Sequence, residues 1–582
     1  APASVPVPVP ARSIARAARL APRAQRRTAQ MPNVRLLELA LCGRILASME
    51  SEAATPTGGT AGDMRARAAE LRKRLAEMVP RAAPLACRRR ALRALRACAV
   101  AAGDSSVATQ ALSADLGRPV LEGTAEIAMV VAECDNALLM LSKWAANENA
   151  STPLLTWMAG AYKSEVVREA TGVALILTPW NFPFQLPLGQ LVSAIAAGCP
   201  VVVKPSELAP ATAVVVDEIV ARVAEDGGYP CVALTGGADV ARALVAAGPW
   251  GVITFTGGAA IGRQVAAAAA ETLSPVVLEL GGKGPVIVCE DVISSMQTVA
   301  RRVLCAKCMN AGQLCVAPDY VVCVGNKAHA AFLGAVKEAS AEFYPKDGPR
   351  ASSSFGRMVS SKQAARAEGL LSATKGEVVF GGEIDVEGCY VAPTVVDGVG
   401  ADDALLGADG EEIFAPILPI ASVASLSEAL ELVGTVSVAP LALYAFTSSK
   451  ATQQTILQRT RSGGVTFNNL LLHVSNTELP FGGCGGASGY GKLHGEAGFL
   501  AFTHRRAVVR SRLVCDSTIM YPPHTPAKET TVWGALTPPE WVVFAGACLP
   551  SLSAAARASA LTVGVTAMLS LWLCCQSGAR RH

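Results

Sequence analysis

The chain has 582 residues, 51% of them hydrophobic and 17% charged, which supplies more than one buried core and excludes a wholly disordered chain. Its net charge of +4 arises at one end: residues 1–37 hold seven Arg and no acid, and the remainder carries 44 basic against 47 acidic side chains. No basic face that could follow a phosphate backbone is implied, so no nucleic-acid partner is expected.

The first segment is rich in Arg and Ala from Arg12 to Arg27, and a small-residue linker follows from Ser51 to Gly62. Residues 1–62 therefore read as a leader, either an organelle transit peptide or an unfolded extension. From Asp63 to about Ala102 the apolar residues recur at helical spacing, and Pro80 and Pro84 break the run into two helices. From Val173 onward, short apolar β-rich runs alternate with helical stretches. The strands are expected at Val173 to Leu177, Val201 to Lys204, Cys231 to Leu234, Val252 to Phe255 and Val276 to Leu280. Gly198 with Pro200, and Gly248 with Pro249, stop helices between them. Repeated βαβ units with continuously apolar strands predict an α/β fold. Its parallel sheet is covered on both faces, with a ligand crevice at the carboxyl ends of the strands. A second α/β stretch runs from Gly284 to about Gly463 and starts with the strand Pro285 to Cys289. The expected partition is thus a leader, a first lobe at 63–283, a second at 284–465, an arm at 466–530 and a hydrophobic tail at 541–582.

The 17 Cys are odd in number and scattered through apolar runs, as at Cys199, Cys231, Cys289 and Cys323, which favours reduced core thiols. Cys305 and Cys308 form a CxxC pair, but a structural zinc needs four ligands and the nearest His is His329, so no metal is expected. Cys315 stands apart from these. It closes the run Asn310-Ala-Gly-Gln-Leu-Cys315, and Glu279 lies in Leu278-Glu-Leu-Gly-Gly-Lys283. A thiolate can take up a carbonyl carbon as a covalent adduct, and a carboxylate can then activate the water that releases the product. Taken singly, Cys315 could be a buried thiol, Glu279 a strand-end carboxylate and the Asn181 in Thr178-Pro-Trp-Asn-Phe-Pro183 a turn residue.

Together these strings resemble the active site of the aldehyde dehydrogenase superfamily. The resemblance implies Cys315 as nucleophile, Glu279 as general base, and Asn181 with the Cys315 backbone amide as donors to the oxyanion. It also implies NAD as cofactor, with NADP possible. Val203-Lys-Pro-Ser-Glu207 resembles the adenosine-ribose site, through Lys204 and Glu207. Phe255-Thr-Gly-Gly-Ala-Ala-Ile-Gly262 resembles the pyrophosphate turn, with Gly257, Gly258, Ala259, Ala260, Ile261 and Gly262. Glu411-Glu-Ile-Phe-Ala-Pro416 resembles the nicotinamide-ribose string, through Glu412 and Phe414, with Ala415 where the family usually has Gly. That methyl group is expected to disturb the loop if unusual dihedrals are needed there. The first lobe would then be the NAD(P)-binding domain and the second the catalytic domain.

Gly486-Ala-Ser-Gly-Tyr-Gly-Lys492 fits the start of a phosphate loop, but Leu493 follows where a magnesium-binding hydroxyl should stand. The segment instead resembles the family's C-terminal signature with one extra Gly.

Cys315-Val-Ala-Pro-Asp-Tyr320, Tyr390-Val-Ala-Pro-Thr394, Gly463-Gly-Val-Thr466 and Tyr521-Pro-Pro523 resemble the class 3, or fatty aldehyde dehydrogenase, branch. That branch implies a homodimer and medium- to long-chain aldehyde substrates. Ala558 to Cys575 is an 18-residue uncharged run preceded by the apolar segment Trp541 to Ala556; it is near the lower limit for a spanning helix and is the candidate membrane anchor. The location expected is a membrane reached through this tail, in chloroplast or mitochondrion if the leader is a transit peptide and otherwise the endoplasmic reticulum. Two alternatives stay open: a soluble organellar enzyme for short or aromatic aldehydes, and a catalytically silent binding homologue.

Overall fold

A computed structural model describes residues 61–79, 83–153, 156–157, 160–345, 347–407, 411–513 and 518–537. The leader through residue 60 and the tail at 541–582 lie outside the described residues.

Helices α1 (Ala61–Met78) and α2 (Leu85–Asp104) flank Pro80 and Pro84 as the sequence predicts, with Pro84 capping α2. Then come α3 (Val107–Leu116) and α4 (Val120–Trp144). The buried stripe of α4 carries Ile127, Val130, Cys134, Ala137 and Leu141 at helical spacing, and within it stand two acids, Glu126 and Glu133.

After β1 (Glu148–Ala150) and β2 (Ala161–Ala170), the βαβ series begins. It comprises β3 (Ala174–Leu177), α5 (Gln185–Ala197), β4 (Val201–Lys204), α6 (Pro210–Glu225) and β5 (Cys231–Ala233). It continues with α7 (Ala238–Ala246), β6 (Val252–Thr256), α8 (Ala259–Ala270) and β7 (Val276–Glu279). Val201, Val202 and Val203 are wholly buried, because helices cover both faces of a parallel sheet and no side of β4 meets water. Each such side chain contributes about 1.5–3 kcal/mol through burial.

The second sheet follows, with β8 (Pro285–Val288), α9 (Met296–Cys308), β9 (Tyr320–Val324) and β10 (Glu377–Phe380). A two-stranded hairpin of β11 (Ile384–Asp385) and β12 (Tyr390–Val391) stands beside it. β13 (Thr394–Asp397), β14 (Ile417–Val423), β15 (Ala442–Phe446) and β16 (Gly464–Phe467) complete the order β10-β13-β14-β9-β8-β15-β16. All its pairs are parallel except β10 with β13.

The chain then returns, and β17 (Gly489–Tyr490) adds antiparallel to the edge of the first sheet. That sheet has the order β17-β7-β6-β3-β4-β5. The connections from β3 run to one side through β4 and β5, then cross back to β6 and β7 on the other. The order reverses beside β3, and a crevice opens there at the carboxyl ends of the strands.

The chain divides into two compact units. One holds the described residues up to Ala146 together with Arg168–His504; the other holds Asn147–Val167 and the described residues from Arg505 on. In the second unit Glu165 is paired with both Lys163, at 2.6 Å, and Arg510, at 2.8 Å, and Arg505 pairs with Glu148. The three-stranded sheet β1-β2-β18 is completed by β18 (Thr503–Ser511), and a helix spans Pro526–Leu536.

Candidate active site

Cys315 lies on the turn between α9 and β9. The approach to it is a strained segment: Asn310, Ala311 and Gly312 all have positive φ, at 49°, 52° and 75°. Such a run persists only where surrounding contacts determine it. Asn310 Nδ2 donates to the carbonyls of Asn181, at 2.9 Å, and Gln313, at 3.0 Å, while the Asn310 backbone N–H donates to Glu122. Gln313 Nε2 donates to the carbonyls of Asn310 and Arg357, and Gln313 Oε1 accepts from the Val359 N–H. Gly312 is required sterically: a Cβ there would stand 2.4 Å from the Ala415 carbonyl group.

Asn181 follows the carboxyl end of β3 and is 4% exposed. Its Nδ2 donates to the Gln313 carbonyl at 3.3 Å, which leaves its second N–H free, and its Oδ1 has no partner. The Asn181 loop is tied to the Cys315 loop by a buried ion pair. Arg118 bonds to Glu126 and to the Asn181 carbonyl, and its Nε reaches Asn310 Oδ1 at 3.3 Å. Glu126 in turn accepts the Phe184 and Gln185 N–H groups, each at 2.9 Å, at the start of α5. Burial lowers Arg118 to about 10, which still leaves the guanidinium charged at neutral pH.

Glu279 ends β7 and is 1% exposed, yet neither carboxylate oxygen has a hydrogen-bond partner. Burial holds its carboxyl well above the usual carboxylate range, opposed by the Lys492 charge. Glu279 and Cys315 line one narrow cavity of ≈ 30 Å³, room for about two waters. Its apolar walls are Leu186, Leu280, Leu441, Phe481 and Leu493. Burial raises the Cys315 thiol, and the carboxylates of Glu412 and Glu279 raise it further. A sulfur nucleophile, an acid with free lone pairs and room for water are what acyl capture and hydrolysis require; because the thiolate is the species that attacks, a cation or substrate must lower the cost of ionising Cys315.

Lys204, at the end of β4, donates to Glu207 Oε2 at 3.1 Å. Gly257 N–H donates to the Glu279 carbonyl, and Gly258 begins α8 directly beyond β6. Ala259, Ala260 and Ile261 form the first turn of α8, and Gly262 packs so closely on Leu280 that a Cβ would come within 2.7 Å. Amides at a helix N-terminus, placed at the carboxyl end of a parallel strand beside a lysine and an acid, fit a dinucleotide. Glu412 lies against Gly281, where an added Cβ would meet its carboxylate at 2.3 Å. Its loop is held by Arg366, which donates to the Glu412 and Ile413 carbonyls, and by Asp319, which accepts the Ile413 N–H. Phe414, at φ 51°, stands edge-on to Trp180 with ring centroids 5.6 Å apart. Ala415 does not have positive φ; the left-handed residue of this loop is Phe414, so the extra methyl at 415 is accommodated without the disturbance the sequence suggested.

The Gly486–Lys492 stretch forms a 3₁₀ turn and then β17, rather than a strand, loop and helix, and so has no phosphate-loop geometry. Sequence reasoning missed Arg118, Glu122, Glu126 and Glu133. For the last two the signal was present: acids recurring within the apolar stripe of a helix. Their partners lie far along the chain, which no local pattern shows.

The aldehyde dehydrogenase family model matches residues 49–508. The chain is 40% identical over 420 residues to aldehyde dehydrogenase family 3 member B1 of Bos taurus, covering 72% of this chain and 86% of that protein. It is 37% identical to family 3 member H1 of Arabidopsis thaliana, over 72% and 84% of the two chains. Among solved structures, the substrate-bound AldH of Staphylococcus aureus superposes with a TM-score of 0.74 at 31% identity, over 82% of this chain and 99% of that one. The chain belongs to the aldehyde dehydrogenase family, in its class 3 branch, and is an NAD(P)-dependent enzyme that oxidises aldehydes.

Proposed function

We propose that the chain converts medium- to long-chain aldehydes to carboxylic acids, with Cys315 as nucleophile, Glu279 as general base and Asn181 as oxyanion donor. The observation that carries this reading is the convergence of Cys315 and the unpartnered Glu279 carboxylate on one cavity with apolar walls. Once its proton has passed to water, the Cys315 thiolate adds to the aldehyde carbon, and the oxygen that becomes negative is met by the free N–H of Asn181 and the Cys315 backbone amide. NAD(P), when bound, accepts the hydride from that carbon. The product of this step is a thioester on Cys315. Glu279 then takes a proton from water as the water oxygen attacks the acyl carbon; the carbon–sulfur bond breaks and the acid leaves. Lys204 and Glu207 would hold the adenosine ribose, the Gly257–Gly262 turn the pyrophosphate, and Glu412 with Phe414 the nicotinamide ribose and ring. The acid at 207 favours NAD over NADP, because it repels a 2′-phosphate.

The tail, with its uncharged run Ala558 to Cys575, is read as a membrane anchor that brings the enzyme to lipid-dissolved substrate. Among the described residues no helix is long and apolar enough to cross a membrane. If the Arg-rich leader is a transit peptide, that membrane belongs to chloroplast or mitochondrion; otherwise it is the endoplasmic reticulum. The class 3 resemblance and the open edge of the second sheet at β16 support a homodimer.

The test is a series of aldehydes of increasing chain length with NAD and the purified protein. Catalytic efficiency is expected to rise with length, and Cys315→Ala to be inactive with every member. A maximum at two or three carbons, or with benzaldehyde, would overturn the fatty-aldehyde reading.

A further inference from the structure

The cavity shared by Cys315 and Glu279 has a second polar end that the reaction above does not use. Glu133, from the buried stripe of α4, and His494, at the start of the short helix Gly495–Ala501, line it together with Gln190, Ser193 and Thr256. Five buried polar atoms around this one space have no partner: Glu133 Oε1, His494 Nδ1, Gln190 Oε1 and both oxygens of Glu279. Glu133 Oε1 and His494 Nδ1 face each other at 3.7 Å, just outside hydrogen-bond reach. A buried water makes about three hydrogen bonds, and leaving such atoms dry costs about 1–3 kcal/mol each, so the space between the two acids suits water.

From this geometry we propose that Glu133 and His494 form the second station of a proton path, which empties Glu279 through cavity water after each hydrolysis. The inference rests on the assignment of Glu279 as base. When water attacks the thioester, its proton passes to Glu279. That proton moves to a cavity water, which gives up another to the Glu133 carboxylate, where the neutral His494 ring shares it until Glu133 releases it to bulk water during product exchange. No electrons move in these steps, and Glu279 returns to the carboxylate for the next turnover.

The surroundings suit the role. Burial raises Glu133 to about 7, and the Gly495 N–H opposes this weakly from 3.5 Å. His494 is lowered to about 4 by burial and by His473 beyond it, so it is neutral; its ring stacks on Phe481 with centroids 5.0 Å apart. The remaining charged groups facing the path are Glu279 and the Lys492 beside it. Asp135 on α4 is engaged by Arg96 at 2.5 Å, and Arg168 by Glu496 at 3.3 Å.

The experiment is stopped-flow formation of reduced cofactor by the full-length enzyme with NAD and an aldehyde substrate, from pH 6 to 8. In wild type, Glu279 and Glu133 each accept a proton only when ionised, and burial raises both, so deacylation rises with pH across this range. Glu133→Gln is expected to show a burst of about one reduced cofactor per Cys315, then a steady rate lowered about tenfold or more, with a pH profile that keeps only the Glu279 limb. A steady rate within about twofold of wild type with the rising limb intact, or a burst and steady rate reduced in equal proportion in folded protein, would overturn the proposal. If Glu133→Gln does not fold, His494→Gln is read against the same two outcomes. Failure of the base assignment is distinct: Glu279→Gln would then turn over at the wild-type rate.

Discussion

Cys315 and Glu279 were legible in the sequence as candidates, because each sits in a string that reads locally as a nucleophile or a base. Their electrostatics were not, since both are governed by burial, and burial depends on residues that arrive from elsewhere in the chain. The raised Cys315 thiol gives a direct test. A thiol held above its ordinary value of about 8.5 is protonated at pH 7 and ionises only at higher pH. Alkylation of Cys315 by iodoacetamide in the enzyme without cofactor is therefore expected to be slow at pH 7 and to keep rising above pH 9; a plateau below pH 8 would contradict the environment described. Asn181 offers a second test. With its Nδ2 tied to Gln313 and one N–H left for the oxyanion, Asn181→Ala is expected to lower kcat by about 10²–10³, with little change in thermal midpoint. A loss confined to KM would show that Asn181 binds substrate without stabilising the charged intermediate.

At the scale of elements, the βαβ series stands almost where the sequence placed it: β4 spans Val201–Lys204 as expected, and β6 runs Val252–Thr256, one residue beyond the expected Phe255. Continuous apolar runs flanked by Gly and Pro are strong local signals when a strand is buried on both faces. The strands that escaped notice have mixed patterns. β2, Ala161–Ala170, carries charged and polar residues through its length, and β17 is two residues long and exists because β7 offers it an edge. The Asn310–Gly312 turn was likewise hidden, because its left-handed backbone is set by the side chains of Asn310 and Gln313 and by Arg118, Glu122 and Arg357 at a distance. Gly312→Ala puts a methyl against the Ala415 carbonyl and a side chain at φ 75°. It is expected to cost about 1–3 kcal/mol or more in stability, read from the denaturant midpoint, and to displace Cys315 enough to abolish turnover. An Ala variant of full stability would mean that the turn is not fixed as described.

Within the larger compact unit, two sheets bring the candidate site residues together. β7 brings Glu279 from the first, the turn before β9 brings Cys315 from the second, and Glu412 arrives on the loop before β14. α4 and the turn leading into it then supply Glu122, Glu126 and Arg118, which fasten the Asn181 and Cys315 loops to each other. This long-range assembly is the part no single segment of sequence could show, since Arg118 is 63 residues from Asn181 and 192 from Asn310. The central claim is that one sulfur captures the acyl group and one carboxylate lets it go. Intact-mass and peptide mass spectrometry of Glu279→Gln, incubated with NAD and an aldehyde, tests it most directly. The account predicts that the variant accumulates the acyl mass on the peptide containing Cys315 while wild type does not. Carboxylic acid released at the wild-type rate from a variant whose Cys315 stays unmodified would contradict it.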